Sequence, residues 1–201
     1  MKQLVFAITL ITIAVGGTAF AQDPYRDNIG MYYDIEGTVM CNDETLEQGL
    51  YESALHLVMT DVTSNVVAGW EARIIAEGPI TLFLPATDGL LHSAINVGSG
   101  EEYIVGLGEP QIGSTILLAN FSIYVSGADE PGLIYIDGVF QHSLPNRVPA
   151  YVDGTDPENM IEKPLHQSTG GASDPVLYVN GECVPVGVEQ STFGGVKSLF
   201  R

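Results

Sequence analysis

The alternation along residues 66–75 constrains the fold more than any other feature of the chain. Val66, Ala68, Trp70, Ala72 and Ile74 fall on one face, and Glu71 and Arg73 fall on the other. A period of two places successive side chains on opposite sides of an extended backbone, so this stretch reads as a strand with one face in a core. Trp70 has apolar neighbours on its own face, so it is expected to anchor that core rather than stack on a ligand. Segment 115–125 repeats the pattern, with Leu117, Ala119, Phe121, Ile123 and Val125 alternating with residues that include Asn120 and Ser122. Further strands are expected at 29–34, 54–60, 80–84, 103–107, 133–140, 148–152, 176–180 and 184–188, separated by Gly, Pro, Asn and Asp. With no helical stretch of convincing length between them, these strands predict an all-β, two-sheet antiparallel sandwich with about nine to ten strands.

Two segments depart from this pattern. Residues 153–175 are polar and rich in Gly, Pro and Asp, and read as a long surface connection. Residues 189–201 place Phe193, Val196 and Phe200 at helical spacing behind Ser191 or Thr192, with Lys197 and Arg201 following. Gly194 and Gly195 weaken such a helix by roughly 1 kcal/mol each. This tail is expected to form a short helix docked on the sandwich, or to serve as a sorting or docking segment.

The chain opens with Lys2, an apolar run over 4–15, and Ala19-Phe20-Ala21, the three-part pattern of a secretory signal peptide cut after Ala21. The run falls short of the roughly 20 residues that span a bilayer, so the expectation is export, to the exterior, the cell surface or the periplasm, with no span left after cleavage. A retained N-terminal anchor is the alternative reading. The domains expected are therefore a signal peptide (1–21), a β-sandwich (22–188) and the tail (189–201). Loss of Lys2 would take the net charge from −18 to −19. Such a surface repels phosphate backbones and anionic lipids, which argues against nucleic acid as a partner.

Cys41 and Cys183 are the only cysteines. In an oxidising compartment a distant pair reads as a disulfide, which in the chain-entropy model contributes up to about 5 kcal/mol, or else as two separate thiols. His56, His92, His142 and His166 are isolated, without the paired spacing of a zinc site, and His56 falls on the polar face of its strand. No G-x-S-x-G elbow, phosphate loop or dinucleotide fingerprint occurs, and Gly98-Ser99-Gly100 is too short to be an elbow. Asp153, Asp156, Glu158 and Asn159 form the one local cluster whose oxygens suit calcium, although the full twelve-residue loop and its final Glu are missing. The alternative for these residues is a turn held by Asp and Asn side chains on their own backbone.

Two resemblances add to this reading. The stretch 66–74, followed by Gly113-Ser114-Thr115-Ile116-Leu117-Leu118-Ala119-Asn120-Phe121, looks like the middle of cohesin-type modules. That likeness implies a nine-stranded jelly-roll that binds a protein partner or, in related sandwiches, carbohydrate, without catalysis. The mature start 27–34, Gly69-Trp70-Glu71, Val105-Gly106-Leu107 and 193–201 resemble a family of uncharacterised secreted bacterial proteins. Members of that family usually carry Trp where Phe193 stands and Cys where Ala72 stands. The second departure would leave Cys183 as the one partner for Cys41, or both cysteines reduced. The expected function is thus a secreted or surface-displayed, non-catalytic module for binding or structural assembly, with a protein or polysaccharide partner. Its rivals are an extracellular carbohydrate-active hydrolase with a hidden carboxylate pair and a subunit of an extracellular filament.

Overall fold

A computed structural model describes residues 26–42 and 44–181. The signal peptide expected over 1–21, the strand expected at 184–188, Cys183 and the helix expected in 189–201 lie outside the described residues. Within them the chain is all β, with twelve strands in two sheets and no helix. In order these are β1 (Asn28–Tyr32), β2 (Gly49–Thr60), β3 (Val67–Glu77), β4 (Ile80–Phe83), β5 (Ile95–Asn96) and β6 (Glu102–Gln111). They continue as β7 (Ile116–Val125), β8 (Gly132–Asp137), β9 (Ala150–Asp153), β10 (Ile161–Pro164), β11 (His166–Gln167) and β12 (Leu177–Val179).

The first sheet runs β11-β1-β2-β7-β4 and the second β10-β9-β3-β6-β5. The long strand β3 carries β9 against its first half, at Val67 to Glu71, and β8 against its second, at Arg73 to Glu77. Strand β12 pairs with β8 beyond it. All pairs are antiparallel except β1 with β11.

Alternation explains how the sheets meet. Trp70, Ala72 and Ile74 of β3 and Tyr103, Val105 and Leu107 of β6 point inward, toward Leu55, Leu57, Phe121 and Ile123 of the other sheet, in one core cluster. Trp70 stacks on Tyr103 with ring centroids 5.9 Å apart, and Tyr103 meets Phe121 edge-on at 5.6 Å, so an aromatic column joins the layers.

Three expectations need correction, the first being that in β7 it is Ile116 and Leu118, not Leu117, that are buried. At the start of β3 it is Val67, not Val66 and Ala68, that is fully buried, because the register with β6 and β9 slips between Val67 and Gly69. Against β9 the bulge gives β3 one extra residue and reverses the faces behind it, while against β6 the extra residues lie on β6, between Gln111 and Gly106. Segment 153–175 is a surface connection only in part, exposed over 155–162 but drawn into the sheets after that. It holds β10 and β11, and it buries Leu165, Gln167 and Thr169, with the Gln167 side chain donating to the Ile136 carbonyl at 3.0 Å.

Candidate functional site

The outer face of the second sheet contains a hollow that its register creates. Behind the bulge, Gly69, Glu71 and Arg73 of β3 point away from the core. Their antiparallel partners on β6 are Gly106, Ile104 and Glu102. Gly69 therefore faces Gly106, and two adjoining positions in the middle of the sheet carry no side chain. Val152 of β9 flanks the gap on one side and Ile95 of β5 on the other, since they pair with Gly69 and Gly106 respectively. The result is an open groove of about 290 Å³ floored by aliphatic side chains, Ile95, Val97, Ile104 and Val152 among them, with Glu71, Ser143 and Glu162 also lining it. Ile95 is 70% exposed and Val97 76% exposed, so this apolar surface stands in water. Glycine within a strand marks a place where another backbone or ligand comes close.

The two glycines are not equivalent. A Cβ on Gly69 would lie 2.7 Å from the Val105 carbonyl oxygen, whereas one on Gly106 would meet nothing within 4 Å. Gly69 is required by the local backbone, and Gly106 leaves open space.

One rim of the groove is a loop, residues 138–149, tied down by two carboxylates of the sheet. The Glu71 carboxylate, only 6% exposed, accepts from the Ser143 backbone N–H and from its hydroxyl, both at 2.8 Å. Glu102 accepts from the Phe140 N–H at 2.8 Å. Charge-assisted bonds of this type are short and strong, so the loop is fixed while the Phe140 ring is left 84% exposed.

A second polar cluster closes one end of the sandwich. Lys163 donates to Ser64 Oγ at 2.7 Å and pairs with Asp153 at 2.8 Å. Ser64 Oγ lies 2.8 Å from the Tyr151 hydroxyl, which donates to Asp27 at 2.8 Å. Thr63 donates to the same Asp27 carboxylate from its backbone N–H and its hydroxyl, each at 2.7 Å. A serine beside a lysine invites comparison with Ser–Lys nucleophiles, but the proton inventory opposes it. Burial pulls the Lys163 ammonium down, yet its bond to Asp153 outweighs that and raises its pKa, so the lysine stays charged and has no lone pair to accept the serine proton. Burial likewise raises the Tyr151 phenol, which keeps its proton for Asp27. The cluster is a relay of donors running from a cation to an anion, and it fastens β1, β9 and β10 together.

This cluster sets a pH dependence. Burial raises the Asp153 carboxyl, but bonds from Lys163, Thr155 and Ser64 more than reverse it and hold the group well below the usual carboxylate range. A depressed folded pKa contributes stability above the unfolded value of about 3.9, and that stability is lost as pH falls through the folded value. The raised Lys163 contributes below about 10.4, and its share is lost as pH rises through its folded value. The pair therefore stabilises across the whole range between. Asp153→Asn is expected to cost about 1–3 kcal/mol in urea unfolding at pH 7, and the gap from wild type should shrink steadily below pH 4. A gap as large at pH 2 as at pH 7 would show that the pairing is not its origin.

The residues singled out as a calcium cluster are not brought together. Asp153 is engaged with Lys163 and Thr155, while Asp156 accepts from the Glu158 N–H and the Asn159 side chain, closing its own turn. Among the described residues no group of three or more His, Cys, Asp or Glu is placed to hold a metal ion. His56 is half-buried and bonded to Asn120, and His92 to the Leu117 carbonyl, so neither faces a partner of its own kind. Cys41 is disulfide-bonded and forms an isolated bridge with Tyr178, five positions before Cys183. Nothing in the sequence flagged the Gly69–Gly106 hollow. The available signal was glycine inside two strand patterns, and it becomes informative only once the register sets the two face to face. No protein-family model matches this chain, and comparison with curated proteins finds no match.

Proposed function

We propose that this chain is an exported, non-catalytic binding module that takes an extended, largely apolar segment of a protein partner into the groove over Gly69 and Gly106. The observation that carries this reading is the exposed aliphatic floor in the middle of a sheet, held open by two facing glycines. Apolar surface in water is a cost that a binding partner removes. A protein segment suits the groove better than a polysaccharide does, because sugar recognition leans on exposed aromatic platforms and dense hydrogen bonding, whereas the side chains that stand in this groove are chiefly aliphatic. A sandwich of the cohesin kind and an export signal cleaved after Ala21 belong to the same reading.

Glu71 and Glu162 line one groove, which favours the carbohydrate-active hydrolase as a second reading. Against it, both oxygens of Glu71 are engaged by Ser143, which leaves that carboxylate positioned to hold a loop rather than a water.

Peptides selected from a random displayed library against the mature protein test the proposal. Binders are expected to be rich in aliphatic and aromatic residues and to lose at least tenfold in affinity on Gly106→Phe, a side chain whose Cβ starts in open space, with nothing within 4 Å. Leu50→Asp, on the other sheet, should leave their affinity within twofold. Selected peptides indifferent to Gly106→Phe would sink the groove as a binding site. Release of sugar from a polysaccharide panel, abolished by Glu162→Gln, would establish the hydrolase instead.

A further inference from the structure

We infer that the outer face of the first sheet carries a separate site, a hollow over Ser122 that binds a neutral saccharide. It stands independently of the groove over Gly69 and Gly106, which belongs to the other sheet.

Strand pairing builds the hollow. Between Tyr51, which pairs with Ile123, and Leu55, which pairs with Phe121, three residues of β2 stand opposite Ser122 alone, so β2 arches away from β7 at this point. On its other side Ser122 pairs with Phe83, the last residue of β4. The chain then leaves the sheet and returns to β7 at Gly89, whose carbonyl accepts from the Asn120 N–H at 2.7 Å. Ser122 thus floors a hollow of about 440 Å³ between the arch and loop 84–88, a volume in the range of small-molecule sites.

The lining offers three kinds of contact together. Phe83, 46% exposed, forms an apolar wall with Pro85. Glu52 and Asp88 bring carboxylates that have no partner among the described residues, in contrast to Glu71 and Asp27, whose oxygens the protein itself takes up. Ser122 is 7% exposed; its hydroxyl oxygen accepts from the Ser53 N–H at 3.1 Å, and its own proton meets no acceptor among the described residues. A buried O–H left without an acceptor is costly, so a ligand atom that accepts from it is favoured. These demands select the ligand. The carboxylates need donors and the Ser122 hydroxyl needs an acceptor, and the hydroxyls of a sugar supply both. An ammonium or guanidinium group answers the carboxylates alone, since it has no acceptor. Phosphates, sulfates and uronic acids are repelled, because no Lys or Arg lines the hollow and the net charge of the chain is −18. The C–H face of a sugar ring then rests on Phe83. Tyr124, two positions along β7 on the same face and 37% exposed, extends this surface past the hollow, which suits a chain of sugars better than a single one.

The test is biolayer interferometry of the full chain on immobilised β-glucan, xylan and galactomannan, with polygalacturonate and chitosan as charged comparisons, at 50 and 500 mM NaCl. The expected result is binding to at least one of the three neutral polysaccharides, changed less than twofold by salt. That binding should weaken at least tenfold in Phe83→Ala and in Glu52→Ala, and stay within twofold in Ile112→Asp, a change at an exposed residue outside the hollow. Phe83 and Glu52 are both exposed and come from different strands, so each variant is expected to keep the melting temperature of the parent. Binding to none of the neutral polysaccharides would overturn the inference. So would neutral binding that survives both substitutions, which would put the sugar elsewhere on the molecule. Binding to chitosan alone, lost at 500 mM NaCl, would overturn it in favour of a cation held by the two carboxylates, because such pairing is screened by salt.

Discussion

Trp70→Ala is expected to lower the unfolding free energy of the sandwich by about 3–5 kcal/mol, which for a domain of this size means a melting temperature lower by roughly 6–20 °C. Trp70 is 2% exposed, is the chain's only tryptophan and stacks on Tyr103, which in turn meets Phe121 on the opposite sheet. Removing the indole empties one end of the column that joins the layers, and neighbours fixed by sheet hydrogen bonds relax only in part. Trp70→Phe separates volume from polarity. The indole Nε1 is buried with no hydrogen-bond partner, so phenylalanine gives up some packing but also removes an orphaned donor. Its cost should be less than half that of alanine. Equal costs for the two variants, read by urea melts followed through tyrosine fluorescence, would mean that the indole is not packed as described.

Asp27→Ala should be the most damaging change at the end of the sandwich, at about 2–4 kcal/mol. One carboxylate collects the Thr63 N–H, the Thr63 hydroxyl and the Tyr151 hydroxyl, and the backbone at Asp27 is left-handed, with φ of 56°. Alanine loses all three bonds and also tolerates that backbone poorly, whereas asparagine suits it and keeps part of the bonding. Asp27→Asn should therefore cost clearly less than Asp27→Ala. Tyr151→Phe, which leaves the backbone term untouched, should isolate the share owed to the phenol, roughly 1–3 kcal/mol. If Asp27→Ala melts within 0.5 kcal/mol of wild type, the relay contributes nothing to holding β1 in place.

The strands that could be read from the chain are those whose burial alternates over many residues. Strand β7 shows it from Ala119 to Val125, where Ala119, Phe121, Ile123 and Val125 are all fully buried, but at its start Leu118 takes the core position expected of Leu117, because the register with β2 shifts between Leu57 and Val58. In β3 the strand itself was legible, but the phase at its start was not, because nothing about Ala68 as a residue reveals that it is the extra one in the pairing with β9. Strands β10 and β11 were hidden for a different reason. Ile161-Glu162-Lys163-Pro164 has no alternation, and its proline reads as a breaker, yet proline is tolerated at the border of an edge strand such as this. Local chemistry there was outvoted by Leu165, which is fully buried and draws its neighbours onto the sheet.

The groove was illegible for the same reason that register is. Gly69 and Gly106 are ordinary strand glycines until the pairing of β3 with β6 opposes them. The relay is equally non-local, since Asp27, Ser64, Tyr151 and Lys163 come from four separate parts of the chain. The acidic cluster at 153–159 shows the converse. Residues close in sequence turned out to serve a turn and an ion pair separately, so proximity along the chain was a poor guide to proximity of function.

The inequality between the two glycines has an evolutionary consequence. Position 69 is locked by a carbonyl that no side chain can pass, while position 106 is free to vary without disturbing the backbone. Alanine, valine or leucine at 106 would shorten the pocket by successive steps, each reachable through one or two nucleotide changes. Descendants of this chain can thus diverge in the depth of this hollow while sharing one stable scaffold, with a single codon setting it.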